Sequence, residues 1–378
     1  MSRFGVGLDI GTTTIQAQLV NLDTCESLDT FSALNDQRTF GADVISRINA
    51  ASGFNSHRNG KLGELFSTVN KQTESILRQF IKKYNLSSVT QCAVSANTTM
   101  LHLFCNVDPS GMGRAPYIPK FLDERRLKGE ELSLSAEQII LLPGVSAFIG
   151  ADITAGLAFV DIMKTEKDFK SVNALFIDIG TNGEIAVWKE SEKRIFCCST
   201  AAGPCFEEAQ VNCSLSAADF INAAAEMKRD NIIDETGALA EKFIKDGFSP
   251  EEGKIITQKD IRQLQLAKSA IYSGIKTICK TAKLDLAGIN KVYIAGGLGE
   301  YLNLESAAEI GLLPREFTDA RSAVKTIVCG NTSLKGAVKS LTDSAFLPRC
   351  REIITCAETI ELANNKYFAA AFEHNMWF

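Results

Sequence analysis

"FGVGLDIGTTTIQAQLV", residues 4–20, and "VNALFIDIGTNGEIAVW", residues 172–188, decide the fold. Each is an apolar run that ends on Asp-Ile-Gly-Thr and then restarts as a second strand, so each reads as a β-hairpin closed by a Gly/Thr turn. In the first, Ile15, Ala17 and Leu19 alternate with Gln16, Gln18 and Val20, the pattern of a half-buried hairpin. Asp9 and Asp178 head the two turns in the two halves of a 378-residue chain, which predicts an internal duplication of architecture.

That length predicts two lobes, each with its own core. The charged stretch "KTEKDFKS" (164–171) marks the boundary, giving a first lobe over 1–166 and a second over 167–378, the C-terminal helix being free to pack back on the first. Between the hairpins, Leu62, Leu65, Phe66, Val69, Ile76, Leu77, Phe80 and Ile81 recur at helical spacing, and "VTQCAV" returns to strand. In the second half, helical patterns over Ala217 to Asp230 and Thr257 to Lys283 lead to "KVYIAGGLGEYLNLESAAEIG", a strand, a glycine turn and a helix.

Composition excludes several classes. A net charge of -5 with 22% charged residues offers no footprint for nucleic acid or an anionic membrane. The longest nearly apolar run, 139–151, is broken by Pro143 and Gly144 and stopped by Asp152, short of the roughly 18 residues of a membrane helix. No signal-type segment precedes the first strand, so a cytoplasmic protein is expected. Eleven cysteines without a C-x-x-C read as reduced thiols, and although Cys197, Cys198, Cys205 and Cys213 cluster, their spacing is not that of a ferredoxin, so no iron-sulfur cluster is expected in this chain. His57, His102 and His374 show no metal-ligand spacing and default to surface or packing roles.

A Gly/Thr turn after an aspartate can hold phosphate, because glycine lets backbone N–H groups approach and hydroxyls add donors. Two such turns facing each other would clamp a polyphosphate, with Asp9 and Asp178 near Mg²⁺ through its water shell. A single turn of this kind also closes many hairpins that bind nothing. No G-x-x-x-x-G-K-[ST] is present, and "GVGLDIG" spaces its glycines wrongly for a dinucleotide fingerprint.

"DIGTTT" (9–14), "DIGTNGE" (178–184) and "IAGGLGE" (294–300), in that order, resemble the phosphate-1, phosphate-2 and adenosine motifs of the actin, sugar kinase and heat-shock chaperone ATPase superfamily. "FGADVISRI" (40–48), "NTTMLHLF" (97–104), "APYIP" (115–119), "GADITAGLA" (150–158), "CSTAAGPCFE" (198–207) and "CGNTSLKGA" (329–337) are more specifically similar to the C-terminal ATPase domain of reductive activators of corrinoid enzymes. The resemblance implies an α/β protein of two RNase H-like lobes, an actin-like ATPase fold with a nucleotide cleft. It implies ATP and Mg²⁺ as cofactors, and hydrolysis coupled to reduction of a corrinoid protein from Co(II) to Co(I).

Carried over residue by residue, Gly11, Thr12, Thr13 and Thr14 would contact phosphate from one side and Gly180, Thr181, Asn182 and Gly183 from the other. Asp152 would orient the attacking water, a task that needs positioning more than a strong base; as a residue at a helix start it could equally satisfy free N–H groups. Gly296, Gly297 and Gly299 would let the backbone pass close to adenosine. Asp9, Asp178 and Asp152 thus form the expected catalytic set. The partners implied are a corrinoid protein and a separate ferredoxin-like donor: the family's fused iron-sulfur domain does not precede the first strand here, so electrons would come from a separate protein, or the sequence is a fragment, or the function has changed; a homodimer is left open. Ala217, Ala218, Asp219 and Glu208 stand where the family has glycines, and the stretch after Ala209 looks shortened. The alternative function is therefore a nucleotide-degenerate regulatory paralogue that docks on a corrinoid protein or a full-length activator.

Overall fold

The computed structural model describes residues 2–53, 60–164, 172–202, 205, 213–297, 301–319 and 321–378. The chain divides into two compact units, Met1–Asp161 with Thr332–Ala357, and Ile162–Asn331 with Glu358–Phe378.

In the first unit the opening hairpin is β1 (Phe4–Ile10) against β2 (Thr14–Asn21), joined by β3 (Ser27–Leu34), β4 (Val89–Ala96), β5 (Arg125–Lys128) and β6 (Ala136–Leu141). The sheet order is β3-β2-β1-β4-β6-β5, with β1, β4 and β6 parallel and the other pairs antiparallel. Helices α1 (Val44–Ser52), α2 (Leu62–Tyr84), α3 (Thr98–Phe104) and α4 (Ala151–Phe159) accompany it. The periodicity of α2 is realised: Leu65, Val69, Ile76, Leu77 and Phe80 are buried, and the helix stops at Asn85 in the left-handed conformation.

The second unit contains β7 (Ala174–Ile179), β8 (Gly183–Lys189), β9 (Arg194–Thr200), a small hairpin of β10 (Phe248–Glu251) and β11 (Lys254–Ile256), β12 (Lys291–Ala295) and β13 (Lys325–Gly330). With β14 (Ala357–Thr359) at the edge, its main sheet runs β13-β12-β7-β8-β9-β14. The run β9-β8-β7-β12-β13 repeats β3-β2-β1-β4-β6: three antiparallel strands, then two parallel to the central one. The duplication that the sequence reveals only in the hairpins therefore extends to the whole RNase H-like core of each unit. Helices α5 (Ala217–Arg229), capped by Ser216, α6 (Gln258–Thr281), opened by a Thr257–Asp260 capping box, and α7 (Leu304–Glu309) complete it.

After β13 the chain returns to the first unit as α8 (Thr332–Thr342) and α9 (Phe346–Cys356), then ends on α10 (Lys366–His374) in the second unit. The division thus falls at Asp161 and Ile162, and residues 332–357 complete the first unit, which a linear cut at 166 leaves in the second. The physical reason is the cover α8 gives to β1. A Cβ on Gly7 would stand 2.6 Å from Val338 Cγ2, and one on Gly336 2.7 Å from Ala155 Cβ of α4, so glycines bring strand and helices into direct contact. The expected half-buried hairpin is consequently wrong for β1: Val6, Leu8 and Ile10 are fully buried on one face, and Gly5 and Gly7 are buried on the other. The last helix stays with the second unit, where Lys268 Nζ donates to Asn375 O at 2.7 Å and Asn375 Nδ2 to Ser273 Oγ at 3.0 Å.

No disulfide joins any of the eleven cysteines. Cys198, Cys205, Cys213 and Cys279 lie in the apolar core of the second unit, and burial pushes the thiols of Cys213 and Cys279 up to about 12. His102 is a buried packing residue. It stacks on Phe121 with ring centroids 4.4 Å apart, its Nδ1 lies 2.7 Å from Thr98 O, and its Nε2 accepts from Lys120 N at 3.0 Å. Burial lowers its pKa.

Candidate functional site

The Gly11–Thr14 turn is held from behind. Gly11 N donates to Thr14 O at 2.9 Å, while Gly11 O accepts from Asn35 Nδ2 at 2.8 Å and Thr13 O from Asn35 N at 2.7 Å. Thr12 O accepts from the Arg47 guanidinium, and Thr12 Oγ1 accepts from Asn97 Nδ2 at 3.1 Å. Asn35 and Asn97 have a second duty as helix caps: Asn35 Oδ1 accepts from Gln37 N at 2.9 Å and Asn97 Oδ1 from Met100 N, opening α3, at 3.0 Å. Asp or Ser could cap as well, but only an amide caps through its oxygen while its nitrogen donates to the turn.

Beside this turn stand Asp9 and Asp152. Ser333, in the first turn of α8, donates Oγ–H to Asp9 Oδ1 at 2.8 Å, and its hydroxyl lies 2.9 Å from that of buried Ser95, the residue paired with Asp9 across β1 and β4. Asp152 sits in the first turn of α4, its Oδ1 accepting from Ile153 N at 2.9 Å. Burial, and secondarily the charge of Asp9, push the Asp152 carboxyl up to about 7. A Cβ on Gly150 would stand 2.6 Å from Asn97 Cα and 2.7 Å from Thr98 N, so glycine is what lets the start of α4 meet the start of α3. The helix-start role weighed for Asp152 is thus partly filled, and its ionisation is poised near neutrality, where a carboxylate can hold and orient water.

In the second unit the Gly180–Gly183 turn is one residue tighter. Ile179 pairs with Gly183, whereas Ile10 pairs with Ile15, and Gly180 N donates to Asn182 O at 2.9 Å. Gly183 is buried, and a Cβ there would meet Ile271 Cγ1 at 3.1 Å and Thr200 Cγ2 at 3.2 Å. Thr181 and Asn182 are half-buried, and Gly180 is exposed. Gly296 closes on this hairpin with φ 91°, where a Cβ would stand 2.4 Å from Ile179 O and 2.5 Å from Asp178 Oδ1. A tight turn against Asp178 therefore accounts for this glycine. Gly297 has no such neighbour within 4 Å, and Gly299, Glu208 and Ala209 lie outside the described residues.

Asp9, Asp152 and Gly11–Thr14 thus share the first unit, and Asp178, Gly180–Gly183 and Gly296 share the second. Sequence reasoning missed Asn35, Arg47, Ser95, Asn97 and Ser333. Three of them lie in stretches quoted only for their resemblance, "FGADVISRI", "NTTMLHLF" and "CGNTSLKGA"; the signal was there without a role attached. Among the described residues no three His, Cys, Asp or Glu side chains gather where they could hold a metal ion. A few carboxylates are nonetheless the donor set that suits Mg²⁺, which keeps most of its water. Among the described residues no helix is long and apolar enough to cross a membrane.

The family model of the RACo middle region matches residues 4–165, and that of the C-terminal ASKHA domain of RACo matches 172–231 and 219–378. The corrinoid activation enzyme RamQ of Eubacterium limosum is 30% identical over 437 aligned residues, covering 99% of this chain and 70% of that protein. The Co(II) methylated amine-specific corrinoid protein reductase of Methanosarcina barkeri is 26% identical, covering 93% of this chain and 72% of that protein. The solved structure of a reductive activator for a corrinoid, iron-sulfur protein superposes with a TM-score of 0.85 at 29% identity, over 100% of this chain and 66% of that one. With the RNase H-like core built twice and both family models matched in order, the chain belongs to the RACo family and has its actin-like ASKHA fold.

Proposed function

We propose that this chain activates a corrinoid protein reductively, coupling ATP binding and hydrolysis to the step from Co(II) to Co(I). The observation that carries the nucleotide part of the reading is Asp152 beside Asp9 and a turn whose carbonyls are all held inward, and the corrinoid part is supported by the relatives named above. Mg²⁺ would neutralise phosphate charge, held through water by Asp9 and Asp178. Within the Gly11–Thr14 turn the N–H groups of Thr12, Thr13 and Thr14 would face the polyphosphate, Gly11 N–H being held by Thr14 O, and residues 181–183 of the second turn would serve the same ligand. Ionised Asp152 accepts a hydrogen bond from the attacking water and aims it, and Gly296 keeps the main chain close to Asp178.

ATP is not the reductant: hydrolysis yields ADP and phosphate, while one electron passes from a separate iron-sulfur donor to cobalt. The nucleotide contributes by binding two states of the activator or its partner complex unequally. The test combines the chain with a Co(II) corrinoid protein and a low-potential iron-sulfur donor and follows Co(I) by its absorbance. Reduction is expected only with Mg-ATP; an equal rate without nucleotide rejects the coupling. Calorimetry with Mg-ATP addresses the degenerate alternative, which predicts no binding.

A further inference from the structure

We propose that Arg47 is the positioning residue of the phosphate-binding turn, presenting the Thr12–Thr14 amides and a buried positive charge to an anionic phosphate. This rests on the nucleotide reading and assigns a role that the motifs alone do not.

A trans peptide points its C=O and the following N–H in opposite directions. Asn35 holds the carbonyls of Gly11 and Thr13, and Arg47 holds that of Thr12. The N–H groups of Thr12, Thr13 and Thr14 are therefore directed away from these donors, three successive amides of the kind that forms an anion-binding concavity. Arg47 is the charged member of the set and is fully buried. Its Nε donates to Gly41 O at 2.9 Å and its Nη1 to Gln37 Oε1 at 3.4 Å, so the fork is fixed on three sides with one arm on Thr12 O. Donation from a cation polarises the Thr12–Thr13 peptide and makes the Thr13 N–H a stronger donor. The guanidinium charge sits one peptide plane behind the anion site, in a medium where water screens it poorly. Lysine keeps the charge but cannot span three acceptors with a rigid fork.

The test measures affinity for Mg-ATP and for Mg-pyrophosphate by calorimetry, well below the melting temperature of each protein. Arg47→Met is expected to weaken both by about tenfold or more, and Arg47→Lys to restore part of the loss. A purely structural role predicts a lower melting temperature with unchanged affinities, and that result overturns the proposal. If Arg47→Met does not fold, Arg47→Lys decides alone: faster amide exchange at residues 12–14 with weaker pyrophosphate binding supports the assignment, and wild-type values of both overturn it. Wild-type protein that binds neither probe defeats the nucleotide reading itself, an outcome distinct from variants that bind as wild type does.

Discussion

In the first unit the Gly11–Thr14 turn hangs from side chains that arrive on separate segments, Asn35, Arg47 and Asn97, with Ser333 on the neighbouring Asp9. In the second, Gly180 N donates to Asn182 O within a tighter hairpin, Gly183 packs against Ile271 and Thr200, and Gly296 against Asp178. Two hairpins of nearly the same sequence are thus held by different means. Side-chain bracing can place charge and adjust it, whereas glycine packing only fixes shape. The first turn is accordingly the one whose electrostatics can be tuned by substitution, and in the second Gly183 and Gly296 are the positions with little room for an added atom.

Asp9→Ala and Asp178→Ala test the symmetry most severely. Each is expected to lower ATP turnover by about 100-fold or more, as loss of charge positioning in a phosphoryl-transfer site does. Wild-type hydrolysis surviving either change would break the equivalence of the two aspartates.

Gly296→Ala places a methyl group 2.5 Å from Asp178 Oδ1 at a positive φ, and is expected to cost roughly 1–3 kcal/mol in denaturant unfolding. Its neighbour supplies the control: Gly297→Ala meets nothing within 4 Å and should stay within about 0.5 kcal/mol. Equal costs at the two positions would contradict the packing described for the second hairpin.

Ser333→Ala removes the hydroxyl that fixes Asp9. It is expected to raise the Mg²⁺ concentration for half-maximal turnover by about three- to tenfold, the loss of one hydrogen bond to a charged group. A magnesium titration at saturating ATP reads this; an unchanged midpoint removes Ser333 from the site.

The last test concerns the ionisation of Asp152. Its folded value, about 7, lies above the 3.8 of the free side chain, so the folded protein keeps a proton that the unfolded chain releases. That contribution is present below about pH 4 and is lost as pH rises towards 7. Asp152→Asn should therefore melt about 2–4 °C higher than wild type at pH 8 and equally near pH 4, while losing turnover. Wild-type turnover should rise between pH 6 and 8 as Asp152 ionises. A stability gain that does not depend on pH would refute the raised pKa.

The hairpins, the α2 stripe and the order of the glycine turns were legible because each rests on local periodicity or turn chemistry. The strand order repeated in both units was legible only in outline: Asp9 and Asp178 announce it, but the parallel partners β4 and β12 are joined by long connections that no short-range pattern specifies. The site was half legible for the same reason. Asp9, Asp152 and the Gly11–Thr14 turn carry motifs, whereas Asn35, Asn97 and Arg47 act on the turn from separate segments, through contacts that no local pattern specifies.

By itself, the sequence determined the two Asp-Ile-Gly-Thr hairpins, the helical spans and the family resemblance, since these depend on residues within a few positions of one another. Only the tertiary structure decided that residues 332–357 complete the first unit, that β1 is covered on both faces, and that Ser333 reaches Asp9. These contacts are fixed by burial of glycine-lined surfaces between segments far apart in the chain, more than 300 residues for Ser333 and Asp9, a distance over which packing decides and local propensity has no say.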